Sequence, residues 1–302
     1  MAHARYKVYM IRLLFDKTVG GTRHGEGVML DLGTVIESQL IASGDAASAN
    51  LEMLHPYYHF HGFAGDQASD DSVFYDKSGI NHAVRGANLS VSQLWTTVPG
   101  YASTIDPAPS LADSVLRIPA INFDYSGGEK LIVWMLGKWT PEGSDTGMIG
   151  DGYNTLPGQR GWQIRVMASG KLQPVLRGAT SGFGGVLIST PFNGTLRDFG
   201  VVLDGQAKKY CVWVDGAVDP FFSSAYLTFS NGADFDTRST NTVNIGSVTP
   251  APGDTTGIAT SIRACVILRL PASYPVPTLA SMTVVFKQLR ANPGKLLLAS
   301  AF

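Results

Sequence analysis

Lys209-Tyr-Cys-Val-Trp-Val-Asp-Gly216 carries the clearest local signal in the chain. In an extended strand Val212 and Val214 fall on one face and Cys211 and Trp213 on the other. Asp215-Gly216 then supplies a turn, because glycine accepts a positive φ at little cost. A strand that is apolar on both faces belongs between two layers. Working outward, similar short apolar runs recur at Leu116–Ile118, Lys130–Leu136, Trp162–Met167, Leu172–Leu176, Asp198–Leu203, Val243–Ile245, Ile262–Leu270 and Met282–Leu289, broken by Gly, Asn, Asp and Pro turns. Many strands at short intervals with turns between them predict a mainly β, two-sheet antiparallel sandwich.

Composition agrees. Glycine numbers 34, and Ser, Thr, Val and aromatic residues are abundant. Glutamate occurs only at Glu26, Glu37, Glu52, Glu129 and Glu142. A long region without Glu and poor in Lys disfavours surface helices. At 302 residues the chain can bury one large core, or carry a small domain beside a large one. Charged residues are 16% of the total and the formal net charge is -1, which gives no electrostatic basis for binding nucleic acid. No run of about 18 apolar residues predicts a membrane-spanning helix. The N-terminus lacks the apolar block of a signal peptide, so synthesis and retention in a cytoplasm are expected until assembly or lysis. Cys211 and Cys265 are too few for a disulfide framework; buried free thiols and one bridge between neighbouring strands are the two readings.

Residues 1–50 form a candidate docking module of β-β-α order. Ala4–Leu14 reads as a strand, 27–31 as its return and Thr34–Ser43 as a helix, with Val35, Ile36, Leu40 and Ile41 repeating at helical spacing. Thr34 with Glu37 makes a capping box and Gly44 a stop. So small a unit buries little by itself, and those four apolar residues are its candidate docking face. Residues 51–70 read as a linker with an aromatic cluster, His55-Pro-Tyr-Tyr-His-Phe-His-Gly-Phe63. His59 and His61 would share a strand face but lack a nearby third ligand, so packing is preferred over a metal. The sandwich is assigned to 71–302.

The order of these pieces resembles the laminin-G-like, concanavalin A-like jelly-roll family. Phe74–Val84, with Ser78-Gly79-Ile80-Asn81-His82-Ala83, is similar to its opening turn. Leu131-Ile-Val-Trp-Met-Leu136 resembles the strand that carries a Trp. Leu196–Asp204 resembles a later strand without the usual Trp-His-His, and Lys209–Gly216 and Asn244-Ile-Gly246 match the following strand and turn. This resemblance implies a lectin-like sandwich and, at its rim, calcium held by Asp side chains, for which Asp151, Asp234 and Asp236 are the candidates; turn formation is the competing reading.

Catalysis is not expected. Glycoside hydrolysis needs two carboxylates across the sugar bond, and no Glu/Asp alternation supplies them. Histidine is absent after His82, which removes an imidazole base from the sandwich proper. A sugar site needs an exposed aromatic beside polar groups, and Trp139, Tyr153, Trp162 and Phe183 are the candidate platforms.

Residues 27–46 also resemble small virion modules of tailed bacteriophages. That resemblance implies a virion-surface protein made in the host cytoplasm, decorating the capsid or forming a head fibre, with the major capsid or tail protein as partner. A homo-oligomer, taken as a trimer on symmetry grounds, goes with that reading. The alternatives are a receptor-binding tail fibre or spike gripping a host glycan, and a bacterial carbohydrate-binding protein.

Overall fold

Val214 pairs with Ala217 across a two-residue turn in which Asp215 and Gly216 both have positive φ, 53° and 72°. The Asp-Gly pair is suited to this, since a type I′ hairpin needs two left-handed residues and its twist matches that of the strands.

A computed structural model describes residues 11–13, 17–19, 22–24, 29–30, 46–48, 56–61, 73–74, 83–85, 102–103, 116–118, 127–140, 146–151, 161–177, 182–184, 188–192, 194–223, 225–229, 242–248 and 259–291. In chain order the strands begin with β1 (Ile11–Leu13), β2 (Lys17–Val19), β3 (Thr22–His24), β4 (Met29–Leu30), β5 (Ala46–Ser48), β6 (Pro56–His61) and β7 (Val73–Phe74). They continue with β8 (Ala83–Arg85), β9 (Ala102–Ser103), β10 (Leu116–Ile118), β11 (Lys130–Thr140), β12 (Thr146–Gly150), β13 (Gly161–Val166) and β14 (Leu172–Arg177). The last are β15 (Gly182–Gly184), β16 (Leu196–Asp204), β17 (Lys209–Val214), β18 (Ala217–Val218), β19 (Leu227–Thr228), β20 (Val243–Val248) and β21 (Ala259–Leu270), followed by helix α1 (Leu279–Ala291).

Two eight-stranded antiparallel sheets dominate and make a β-sandwich. The first runs β15-β14-β13-β12-β20-β10-β8-β7. The second runs β18-β17-β16-β11-β21-β6, with β19 also on β17 and β9 also on β21. In the first sheet Leu116, Ile245, Ile149 and Ile164 stand opposite one another on one face, and all are buried. Arg117, Gln163, Arg165 and Gln173 alternate onto the other face, as a period of two requires.

The second sheet is apolar on both faces. Val133, Val201 and Val212 share one face; Trp134, Gly200 and Trp213 share the other. Phe199 and Trp139 lie on the first of these faces and touch Phe192, whose amide is bonded to Gly170 in the turn between β13 and β14. That face is therefore turned toward the first sheet. Helix α1 covers part of the other face with Met282, Val285, Phe286 and Leu289. Each large apolar side chain buried this way contributes about 1.5–3 kcal/mol relative to exposure.

The stretch Met282–Leu289, read from sequence as a strand, is helix. Its buried residues fall at i, i+3, i+4 and i+7, the spacing of one helical face. Thr278 caps it, its Oγ1 accepting from Ser281 N at 3.1 Å. The run Thr283-Val284-Val285 favours a strand locally, but packing on the sheet outweighs that preference.

Near the N-terminus, β1 pairs antiparallel with β4 through Ile11 and Leu30, as the strand and its return require. Two elements add to that reading: β5 pairs along the other side of β1, and β2 and β3 form a hairpin within the glycine-rich connection. The helix expected at 34–43, with Val35, Ile36, Leu40 and Ile41, lies outside the described residues. Pro56–His61, inside the stretch read as a linker, pairs with β21 and so belongs to the second sheet.

Candidate functional site

The side of the first sheet turned away from the apolar row carries a polar one. Arg117 stands opposite Asn244, Asn244 opposite Gly150, Gly150 opposite Gln163, and Gln163 opposite Val175. One pleat along, Arg165 faces Gln173, and its Nε donates to Gln173 Oε1 at 2.7 Å while its second terminal nitrogen reaches the same oxygen. Arg117, Asn244, Arg165 and Gln173 are half-buried and Gln163 is buried. Asn244 Oδ1 is buried with no hydrogen-bond partner among the described residues. A desolvated acceptor in that state is costly, so it marks a place where a donor is wanted. Gly150 is obligatory here, since a Cβ would collide with the Trp162 carbonyl and approach Gln163 Cα to 2.9 Å.

Asp151 follows directly. Its Oδ1 accepts from Trp162 N at 2.7 Å, and its own amide donates to Trp162 O at 3.1 Å. It is 1% exposed. The carboxylate thus extends the β12–β13 pairing by a side-chain rung. Asp234 and Asp236, the other calcium candidates, lie outside the described residues. Among the described residues no group of three or more His, Cys, Asp or Glu could hold a metal ion.

The aromatic candidates divide differently from the expectation. Trp139 and Trp162 are both 0% exposed, which makes them core and leaves no ring face for a ligand. Trp139 packs edge-on to Phe192 at 5.2 Å and against Phe199 at 5.4 Å. Phe183 stands in β15, opposite Leu176. Tyr153 lies outside the described residues. The polar row itself was legible as alternation within Trp162–Val166 and Leu172–Leu176, but no spacing rule says which face of a strand will look outward.

The buried acids are engaged in holding the fold. Asp198 is 0% exposed, accepts from Trp134 Nε1 at 3.1 Å and takes the Arg290 guanidinium. Burial pushes its carboxyl above the ordinary range, while Trp134 and Arg290 oppose the shift. Burial works against the charge of Arg290, yet its bonds to Asp215 and Asp198 carry its pKa above the usual value. Asp204 accepts from Ala207 N at 2.9 Å to close the turn into β17. Asp219 accepts from four donors, Ser189 N, Thr190 N, Thr190 Oγ1 and Phe221 N, at 2.8–3.1 Å. Cys211 and Cys265 are free and buried. Among the described residues no helix is long and apolar enough to cross a membrane.

Neither a family model nor a curated protein sequence matches this chain. Solved structures do match its fold. Trypanosoma rangeli sialidase in complex with 2,3-difluorosialic acid, described as a covalent intermediate, superposes with a TM-score of 0.52 at 12% identity, covering 79% of this chain and 33% of the sialidase. The same sialidase in complex with sialic acid gives 0.50 at 14% identity, covering 84% and 36%. The botulinum neurotoxin serotype D binding domain gives 0.50 at 10% identity, covering 77% of this chain and 50% of that one. The chain thus spans about a third of the sialidase and half of the toxin domain. At these identities the likeness is one of architecture, and what it establishes is a two-sheet antiparallel β-sandwich.

Proposed function

We propose that this chain is a glycan-binding β-sandwich rather than a catalyst. The observation that carries the reading is the polar face of the first sheet, on which half-buried Arg117 stands opposite Asn244, with its buried, unsatisfied oxygen, and half-buried Arg165 and Gln173 pair one pleat along. A sugar rim offers many hydroxyl donors and acceptors, which arginine and amide side chains are suited to meet. Among the described residues the four buried aspartates, Asp151, Asp198, Asp204 and Asp219, each bond to groups of the fold. The sandwich likeness to a sialidase and a toxin binding domain is compatible with either role, since a fold does not decide a function.

The test is a printed array of neutral and acidic oligosaccharides probed with the full chain, followed by titration of the strongest hit as free oligosaccharide. Arg165→Ala and Gln173→Ala should weaken that hit by about tenfold, or about 1.4 kcal/mol, which is ordinary for removing hydrogen bonds to a polar ligand. An array without signal, or binding indifferent to both substitutions, overturns the reading.

A setting for this module comes from residues 27–46, whose resemblance to small virion modules supports a place on the surface of a tailed-phage particle. On that reading residues 1–50 dock on the major capsid or tail protein through Val35, Ile36, Leu40 and Ile41. The sandwich then projects as a homo-oligomer, taken as a trimer, decorating the head, forming a head fibre or gripping a host glycan at the tail. Deleting residues 1–50 should leave a folded sandwich that no longer attaches to its particle; undiminished attachment sinks the assignment. Labelled protein seen at the tail tip favours a receptor-binding fibre, and protein found on no particle favours a bacterial carbohydrate-binding protein.

A further inference from the structure

Among the side chains described, Phe221 is the exposed aromatic, at 46%. A lone exposed ring is ordinary on a protein surface and by itself carries nothing. Its mounting is the informative feature. Phe221 sits in a single 3-10 turn, Pro220–Phe222, capped by Asp219, and proline at the first position fixes φ. Asp219 is 1% exposed and spends both carboxylate oxygens on four donors: Oδ1 on Phe221 N and Ser189 N, Oδ2 on Thr190 N and Thr190 Oγ1. The next ring, Phe222, points inward, is 0% exposed and packs edge-on to Tyr210 at 5.5 Å.

The turn then closes through Ser223, whose amide donates to Pro220 O at 3.2 Å with φ 47° and ψ -75°. That conformation is unfavourable for a residue with a Cβ and persists only where the surroundings enforce it. Three separate devices therefore fix the backbone that carries this exposed ring: a buried carboxylate, an inward anchor ring on the next residue and a strained serine. Such strain is found at ligand clamps, and the inference runs from the outlier to a role.

The neighbourhood narrows the ligand. Ser189 and Phe221 donate their amides to the same Asp219 oxygen, so the backbone of the exposed Ser189 runs next to that of Phe221. Pro191 and Pro220 are exposed and Thr190 is half-buried. A protein interface of ordinary size buries about 800 Å² per partner around an apolar centre, and one exposed ring with prolines and hydroxyl groups in the same two segments is a poor start for one. It suits a pyranose, whose C–H face lies on an aromatic plane while its rim hydroxyls meet nearby polar groups.

We propose that the Phe221 turn is a second sugar-contact point, apart from the polar row, that takes the C–H face of one pyranose ring of a bound glycan. This rests on the glycan-binding reading above, and the experiment separates the two. The probe is the strongest oligosaccharide found on the array, titrated into the wild type, Phe221→Ala and Phe221→Trp. Phe221→Ala should weaken binding about tenfold and Phe221→Trp should retain it. A 4-fluorophenylalanine placed at position 221 should also show a fluorine shift that saturates with the same affinity. Wild-type affinity in Phe221→Ala together with an unmoved fluorine signal overturns the second contact while leaving glycan binding intact. Failure of the wild type to bind any oligosaccharide overturns both.

Discussion

Phe286 of α1 packs against Gly200 of β16 so closely that a Cβ on that glycine would stand 2.5 Å from the ring. The opening that glycine leaves in the sheet surface is what lets the helix seat, with Trp213 Nε1 donating to Thr283 Oγ1 at 3.0 Å beside it. Gly200→Ala should therefore destabilise by about 1–3 kcal/mol, the usual cost of overpacking. Phe286→Ala should cost about 3–5 kcal/mol through the cavity it leaves. Urea unfolding of both singles and the double variant checks this: the double should cost less than the sum of the two, because both changes act on one contact. Strict additivity would show that the helix does not depend on that seat.

Arg290 closes a charge group linking the end of α1 to the sheet, with Asp198 beneath it and Asp215 beside it, and Arg197 3.6 Å from Asp215. Removing one partner of a buried pair strands the other charge. Arg290 is itself 42% exposed, so Arg290→Ala should cost about 1–3 kcal/mol, less than for a fully buried pair. Asp198→Asn, which keeps an acceptor for Trp134, should cost less than Asp198→Ala. Equal losses for the Asn and Ala variants would mean that the Trp134 bond contributes nothing.

The same carboxyl sets a pH dependence. Burial raises the folded-state pKa of Asp198 above its ordinary 3.8, so the folded chain takes up this proton more readily than the unfolded one. Its contribution to stability is full below pH 3.8 and is lost as pH rises through the folded-state value. Arg290 lowers that value, so Arg290→Ala should extend the window to higher pH, and Asp198→Asn should abolish this component. Denaturation midpoints collected across the acid range, as differences between each variant and wild type, provide the measurement. A difference for Asp198→Asn that stays constant with pH defeats the assignment.

Burial pushes the Cys211 thiol up to about 12 and the Cys265 thiol upward as well. Neither should react with a thiol-specific chromogenic reagent at pH 8 until the chain unfolds. Because both folded values exceed the ordinary 9.0, their contribution is present below pH 9 and is lost as pH rises through the folded values, about 12 for Cys211. Cys265→Ala should lessen alkaline destabilisation while leaving a small cavity cost at neutral pH. Rapid labelling of the native protein would contradict the burial of both sulfurs.

Asp219→Asn should loosen the 219–223 turn by removing charge-assisted bonds to three amides and a hydroxyl, at about 1–3 kcal/mol. Limited proteolysis should then cut within that turn before the remainder of the sandwich. An unchanged cleavage pattern would mean the turn is held without the carboxylate.

The hairpin at Val214-Asp215-Gly216-Ala217 and the alternating strands around it were readable from local chemistry, because turn type and side-chain period depend on a few adjacent residues. The helix at Leu279–Ala291 was also encoded, in the spacing of Met282, Val285, Phe286 and Leu289 and in the cap at Thr278, but the β-branched run at its centre carried the stronger local signal. Phe221 had a trace in Asp219-Pro220, a turn-initiating pair, although nothing local says which of two consecutive phenylalanines will face water. Trp139 and Trp162 drew notice as large aromatics and prove to be core.

What the sequence by itself determined is the class of the protein: antiparallel strands in two layers, with glycine and aspartate turns, follow from period, propensity and turn residues that act over short spans. What only the tertiary structure decided is where chemistry could reside. Whether Asp198, Asp219 and Asp151 hold the fold, whether Gln163 comes into line with Asn244, and whether Phe221 or Phe222 is outside all depend on partners beyond the local segment. Those pairings arise when sheets stack and exclude water, a step set by the sum of burial over the whole core and not by any one segment.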